Sequence, residues 1–408
     1  MRKIQTVNYG LLGLPLAFGA LPVYLFVPDF YSRSGLLDLS LLGWILLGTR
    51  LADAVADPFF GWLSDQGARK TFLAIALVPF ALGYLALFNP AAGIDPALWL
   101  FGSILACTLG FSAAMIAYQS WGADLGAHTS ERLTLAGARE SFGLLGVVLA
   151  SLLPSLLSDN SAQGLQQSGW VFLPMLIAIS AVTLGLLPAS KPTHVASMGF
   201  IKSLSQVLAD STYRRLVTVF IANGIASAFP ATLFVFFVAD VLGAQSLTGL
   251  LLGLYFISAA MGVPLWVSLS KKFGRPNAWF AAMLLAVLAF AGAGALGSGD
   301  WPWFAVICFV SGIAMGADLT IPSSIVADLG ESRGHTASYF GVWNLIAKMN
   351  LALAAGVALP LLGWMGYTPG TGAQTDVLVM AYVLLPLSLK LGAMILLWCW
   401  RKPLSFST

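Results

Sequence analysis

The sequence consists largely of long apolar runs separated by short polar stretches. A helix needs about 20 apolar residues to cross the hydrocarbon core of a bilayer. On that rule the pattern predicts twelve spanning helices, at about residues 8–28, 36–64, 71–89, 97–122, 134–157, 170–188, 213–239, 246–270, 277–297, 301–328, 336–363 and 376–400. The predicted fold class is therefore an all-α membrane protein.

A polar break near the middle of the chain divides the predicted helices six and six. We interpret residues 1–188 as an N-terminal six-helix bundle, residues 189–212 as a cytoplasmic linker, and residues 213–408 as a C-terminal six-helix bundle. The break is the longest polar interruption between spans in this part of the sequence, which favours its position as the boundary between two domains.

The two halves resemble each other in sequence. The letters ADLG occur at Ala123–Gly126 and again at Ala327–Gly330, and DPFFGWLSDQGAR, from Asp57, parallels VPLWVSLSKKFGR, from Val263, at nearly the same offset. Two repeated bundles predict a solute site near the membrane midplane between them.

Charge and composition narrow the class of protein. Hydrophobic residues make up 58% of the 408 residues and charged residues only 9%, against about 25% charged in soluble domains. The basic loop residues collect on one side of the predicted membrane, and the opposite side has Arg33 as its basic residue. The positive-inside rule then places both termini in the cytoplasm. We expect a multi-pass protein of the plasma membrane, specifically a bacterial inner membrane. The lipid bilayer is then one of its partners.

Several functions are not supported by any motif. Basic residues are scattered rather than clustered, so we expect no nucleic-acid partner. The sequence has no GxSxG, HExxH or CxxC motif and no phosphate-binding glycine loop, so we expect neither an enzyme nor a cofactor. A monomer is the expected oligomeric state.

The second predicted span carries charges where apolar residues are expected. Arg50, Asp53 and Asp57 recur at helical spacing and form one stripe. Each charge at the bilayer centre costs about 2.5–3.5 kcal/mol on the insertion scale. Arg50 can serve as the charge partner of one carboxylate, which leaves a like-charge pair one turn apart. A structural ion pair between helices is one interpretation, and a bound cation or proton at Asp53 and Asp57 is the one we favour.

A short motif follows this span at its predicted cytoplasmic end. In GWLSDQGARK, Gly61 permits close helix approach, Asp65 can cap or pair, and Arg69 and Lys70 hold the turn at the lipid surface. This pattern resembles the loop motif of the major facilitator superfamily.

Other ionisable residues fall at membrane depth. Arg139 and Glu140 are adjacent, so they project about 100° apart and are expected to face different neighbours. Asp318 is either a packing residue or part of a gate. Lys348 lies far from a helix end and is expected to line the central cavity. Lys390 is near enough to a helix end to place its ammonium group at the membrane surface.

A family resemblance connects these features. RLADAVADPFFGWLSD, from Arg50, is similar to the span-two signature of the glycoside–pentoside–hexuronide:cation symporters, the melibiose permease-like family of the major facilitator superfamily. SYFGVWNLIAKMNLALAAG, from Ser338, resembles its span-eleven motif. The resemblance covers essentially the whole chain. It implies the major facilitator fold, cation-coupled uptake of a small solute, and alternating access.

The resemblance also implies roles for residues at matching positions. Asp53 and Asp57 match the cation-binding carboxylates, and Ser112 a hydroxyl that assists the ion. Arg139 and Lys348 match residues of that family's substrate site, and Gln119, Trp343 and Asn344 are further expected substrate-binding residues of this chain. Two positions depart from the family pattern. Gln119 stands where an aromatic residue is expected, and Ala56 stands where sodium-using members often have asparagine. Because of Ala56 the expected coupling ion is H⁺ or Na⁺, and we expect no metal beyond Na⁺ at Asp53 and Asp57.

The sequence thus leaves three functions to be compared. The first is a symporter of a small polar organic solute, with a sugar or glycoside as one candidate. The second is a proton-driven exporter or a lipid-related transporter, and the third is a membrane sensor on the same scaffold that transports nothing.

Overall fold

The structure is a computed structural model, and it describes residues 3–33, 37, 39–158, 160–189, 199–367 and 375–405. Residues 190–198, the centre of the predicted linker with Lys191 and His194, lie outside the described residues. The described chain is helical, and its α-helices are α1 Lys3–Leu11, α2 Gly13–Leu25, α3 Val27–Arg33, α4 Leu39–Asp65, α5 Arg69–Phe88, α6 Pro96–Leu125, α7 Thr129–Leu157, α8 Ser161–Leu186, α9 Phe200–Ala209, α10 Ser211–Phe236, α11 Thr248–Phe273, α12 Arg275–Ala291, α13 Trp301–Arg333, α14 Thr336–Trp364, α15 Thr375–Val379, α16 Leu385–Cys399 and α17 Arg401–Leu404.

Helices occupy the positions of all twelve predicted spans. Ten helices of the described chain are long and apolar enough to cross a membrane. The helices at the positions of spans two and eleven, α4 and α14, are 27 and 29 residues long. Two spans contain π-helical segments, Phe237–Val241 after α10 and Met380–Leu384 before α16.

The chain forms two compact units. The first comprises Met1–Val207 and Val326–Leu345, and the second comprises Leu208–Ile325 and Ile346–Thr408. The sequence-based boundary lies close to Val207, but the end of α13 and the start of α14 group with the first unit. The assignment of 189–212 as a linker and of the two flanking domains stays a prediction.

Glycines set the helix crossings of the first unit. A Cβ atom at Gly110 would lie 2.4 Å from the backbone nitrogen of Phe80, so α5 and α6 approach each other closely. A Cβ atom at Gly13 would lie 2.5 Å from the carbonyl oxygen of Arg139, and one at Gly146 would lie 2.2 Å from that of Leu14. Small residues of this kind let membrane helices approach closely. The crossing of α2 with α7 therefore holds the backbone of Arg139 in place.

The second unit is built in the same way. A Cβ atom at Gly262 would lie 2.3 Å from the carbonyl oxygen of Ile313, which brings α11 against α13. The two π-helical segments meet in its core, where the rings of Phe237 and Tyr382 stack with centroids 4.1 Å apart.

Candidate functional site

The two carboxylates of span two lie on the buried face of α4. Thr49, Asp53 and Asp57 follow one another at four-residue intervals, and the exposed fractions of these residues are 0%, 2% and 0%. Leu51 and Val55, on the opposite face, are exposed. Residues four apart lie above one another on a helix, so the helix turns its polar face into the first unit and its apolar face outward.

Ser112 of α6 contacts this polar face directly. Its hydroxyl donates a hydrogen bond of 2.6 Å to Oδ1 of Asp53. Pro58, inside α4, directly follows Asp57 and removes a helix hydrogen bond at this level. The structure therefore brings the three predicted cation ligands together in one buried region of the first unit.

Arg50, the third charged residue of this stretch, contacts an aromatic ring. It is exposed, and its guanidinium lies over the ring of Tyr24 at 5.4 Å from the centroid. Its contact is thus a cation–π interaction, and its expected role as charge partner of the carboxylates stays a prediction.

The predicted loop motif forms a buried ionic network. Asp65 accepts a hydrogen bond from Arg69 at 2.9 Å, and Arg69 also pairs with Asp124 of α6. Asp65 accepts three more, from the backbone nitrogens of Ala337 and Ser338 and from the hydroxyl of Ser338, at 2.7 to 2.9 Å. Asp65 therefore joins the end of α4 to the first turn of α14, where a negative charge is stabilised by free N–H groups.

The remaining residues of the motif also have contacts. A Cβ atom at Gly61 would lie 2.4 Å from the carbonyl oxygen of Ala337, so α4 and α14 touch at this glycine. Lys70 donates to the carbonyl oxygen of Leu187 at 3.0 Å. The sequence had assigned Lys70 to the lipid surface, and the structure adds a defined backbone partner.

Arg139 and Glu140 form an ion pair with each other. Nε and Nη2 of Arg139 donate to Oε1 of Glu140 at 3.0 and 2.6 Å. The two backbone positions project in different directions, but the long arginine side chain reaches the carboxylate next to it along the chain. The expectation that the two residues face different neighbours stays a prediction. The hydroxyl of Tyr9, in α1, lies close enough to Arg139 for an electrostatic interaction.

The other predicted substrate residues divide between the two units. Nδ2 of Asn344 donates a hydrogen bond to Oε1 of Gln119 at 3.1 Å. Trp343, the residue before Asn344, is buried. These residues and Arg139 belong to the first unit, whereas Lys348 belongs to the second and is half-buried.

The second unit contains a polar cluster whose contacts the sequence did not predict. Nζ of Lys390 pairs with Oδ2 of Asp318 at 3.0 Å, and Nε1 of Trp279 donates to Oδ1 at 2.7 Å. The expectation that Lys390 reaches the membrane surface is wrong, because its ammonium group has a carboxylate partner within the unit. Asp318 in α13 and Lys390 in α16 lie 72 positions apart in the sequence, and no local pattern indicates their contact.

A second missed pair could have been found from the repeat. Arg132 donates to Asp328 at 2.8 Å, and Thr129 donates to the same carboxylate at 3.0 Å. Asp328 and Asp124 are the equivalent aspartates of the two ADLG segments, and both pair with an arginine. The recurrence of an aspartate in both halves was the available signal.

The chain is similar in sequence to known transporters. A family model described as MFS/sugar transport protein matches residues 7–403. The sodium-dependent lysophosphatidylcholine symporter 1-A of Danio rerio is 22% identical over 410 residues, covering 85% of this chain and 76% of that protein. The isoprimeverose transporter of Lactiplantibacillus pentosus is 23% identical over 292 residues, covering 67% and 60% respectively.

Solved structures share the fold. A bacterial homologue of the iron transporter ferroportin, solved in an outward-facing state, has a TM-score of 0.77 and 14% identity, covering 98% of this chain and 100% of that one. The fucose:proton symporter of E. coli has a TM-score of 0.75 and 15% identity, covering 100% and 99%. The predicted major facilitator fold is thereby confirmed.

Proposed function

Since the chain belongs to the MFS/sugar transport protein family, and is therefore a transporter of the major facilitator superfamily rather than an enzyme, we propose that it is a cation-coupled symporter of a small polar organic solute. The observation that carries the proposal is the buried contact of Asp53 with Ser112, with Asp57 buried one turn further along α4. The transport cycle is alternating access.

The two carboxylates need a positive partner to be stable at this depth. Both lie well inside a 27-residue helix, and two ionised carboxylates one turn apart repel each other in a low-dielectric region. A proton on one of them or a cation between them removes that cost. Na⁺ needs several oxygen ligands, and Asp53, Asp57 and Ser112 offer some of these. Ala56 adds no side-chain oxygen, so H⁺ and Na⁺ are both retained as coupling ions.

The polar residues elsewhere support a solute with several hydrogen-bonding groups. Arg139 with Glu140, and Gln119 with Asn344, place donors and acceptors inside helices of the first unit. The relative from Lactiplantibacillus pentosus is named for isoprimeverose, a sugar, and a sugar or glycoside is therefore the first solute class to test.

The test is uptake by purified protein in proteoliposomes under an imposed pH gradient or an imposed Na⁺ gradient. Labelled isoprimeverose is the first probe. We expect one of the two gradients to drive accumulation above the external concentration, since a bound cation moves with the solute. Equal internal and external concentrations under both gradients would contradict coupling, and no flux of any tested solute would favour a sensor.

A lipid-related transporter is the second candidate, and one comparison favours it. The relative from Danio rerio is named a lysophosphatidylcholine symporter and matches 85% of this chain. Labelled lysophosphatidylcholine is therefore a second probe in the same vesicles. Movement of the lipid without movement of the sugar would replace the first solute class. Movement of solute out of the vesicles as protons move in would identify a proton-driven exporter.

Solute binding is expected to depend on Arg139 and Lys348, because a charge at this depth must face water, protein or ligand. The double variant Arg139→Gln, Lys348→Gln should bind the transported solute at least about tenfold more weakly. It removes the expected hydrogen bond from Lys348 to the solute and takes the Arg139 partner away from Glu140, and hydrogen bonds to charged groups contribute about 1.5–3 kcal/mol each. Binding is measured by isothermal titration calorimetry. Lys402→Gln, an exposed residue of α17, is the control and should bind as wild type does, and wild-type affinity in the double variant would refute the assignment.

The location belongs to the same proposal. The charge bias of the loops supports a plasma-membrane protein with both termini cytoplasmic, acting as a monomer.

A further inference from the structure

Glu140 is the acidic residue that neutralises the expected solute-binding arginine. Arg139 is almost fully buried, with 5% of its side chain exposed, whereas 24% of the Glu140 side chain is exposed. The two hydrogen bonds from the guanidinium group both end on Oε1 of Glu140. The exposed part of this pair is therefore the carboxylate and not the guanidinium.

The pair lies at membrane depth. Glu140 is the twelfth residue of the 29-residue helix α7, which places it about 17 Å from the first residue at 1.5 Å per residue. A carboxylate facing lipid at that depth would be costly. Its exposed surface is therefore expected to face water or a ligand rather than hydrocarbon.

The guanidinium group is held in this arrangement from its other side. The hydroxyl of Tyr9 interacts electrostatically with Arg139 and donates a hydrogen bond to the carbonyl oxygen of Tyr118 at 3.0 Å. Close contact of α2 at Gly13 holds the backbone of Arg139. Arg139 thus cannot turn toward a ligand without leaving several partners.

We propose that Glu140 is a specificity-determining residue that makes the Arg139 site electrically neutral, so that it accepts uncharged or zwitterionic solutes and rejects anions. The inference rests on the proposed function and names the solute class of the same site. An anionic group that approached Arg139 would compete with the carboxylate of Glu140 for the guanidinium group, and displacing Glu140 would leave one carboxylate without a partner in a low-dielectric region. A hydroxyl or ammonium group can instead donate to the carboxylate of the intact pair.

The test compares neutral probes with anionic derivatives of the same carbon skeleton. Two matched pairs are used, D-glucose with D-glucuronate and glycerol with glycerol 3-phosphate, and binding to full-length purified protein is followed by thermal unfolding over a range of probe concentrations. Wild type should show little stabilisation by either anion. Glu140→Gln should bind at least one anion about tenfold more tightly than wild type does, because a charge-assisted hydrogen bond to the freed guanidinium group contributes about 1.5 kcal/mol or more.

Two further variants assign the gain to the ion pair. Arg139→Gln, Glu140→Gln should lose the gain, and Glu140→Asp, which keeps the charge, should behave as wild type. Glu140→Ala replaces Glu140→Gln if the latter does not fold. Anion binding by the Glu140 variant no tighter than that of wild type would overturn the proposal, as would a gain that persists in the double variant. The measurement needs no gradient and no transport, so it can fail or succeed independently of the proposed symport.

Discussion

Asparagine at position 57 is expected to abolish cation-driven accumulation while leaving the protein folded. Asp57 is fully buried on the face of α4 that carries Asp53, and asparagine has nearly the same shape but no charge. A membrane potential of about 100 mV supplies about 2.3 kcal/mol for each coupled charge, which corresponds to about fiftyfold accumulation at 1.4 kcal/mol per factor of ten. Without the coupling charge, the internal concentration should fall to the external one.

The measurement is uptake in proteoliposomes with a fixed potential and either a pH or a Na⁺ gradient. Asp376→Asn, at an exposed residue in the first turn of α15, is the matched control and should accumulate solute as wild type does. Downhill exchange should persist in Asp57→Asn, because Asp57 is not among the proposed solute-binding residues. Undiminished accumulation by Asp57→Asn would end the coupling-site assignment, and strict Na⁺ dependence of wild type would decide between the two ions.

Alanine at position 69 is expected to destabilise the protein by about 3–5 kcal/mol, the usual range when one partner of a buried ion pair is removed. Arg69 is 1% exposed and pairs with both Asp65 and Asp124. It also donates to the carbonyl oxygen of Ser120 at 3.2 Å. The variant would leave two buried carboxylates without this cation, so the loss should far exceed that of a surface charge.

Chemical unfolding in detergent micelles measures this effect, with Lys70→Ala as the neighbouring control. Lys70 is only half-buried and donates to one carbonyl oxygen, so its loss should cost about 1 kcal/mol. Adding Asp124→Asn to Arg69→Ala should recover part of the lost stability, because it removes one uncompensated charge. Equal costs for Arg69→Ala and Lys70→Ala would contradict the network.

The candidate cation ligands were predicted largely from local sequence. Asp53 and Asp57 stand one turn apart in a helix whose opposite face is apolar, so their shared burial followed from helical periodicity alone. Ser112 was predicted only through the family resemblance, because it lies 59 positions away and no local pattern connects it with Asp53.

The neighbours of the substrate residues were harder to predict. Sequence reasoning placed Arg139 and Glu140 on different faces from their backbone directions, but the reach of the arginine side chain exceeds the separation of the two Cβ positions. The contact of Asn344 with Gln119 joins α14 to α6 across 225 positions, and both residues had been selected without any indication that they meet.

The sequence by itself determined the twelve spans, the repeat and the polar face of α4. Each of these depends on a local requirement, since a helix in lipid must satisfy its own backbone and present apolar side chains to hydrocarbon. Only the tertiary structure decided which charges pair: Glu140 with Arg139, Asp318 with Lys390, and Asp328 with Arg132. Pairing depends on where helices cross and how far side chains reach, and glycines such as Gly13 and Gly61 set those crossings through contacts with residues distant in the chain.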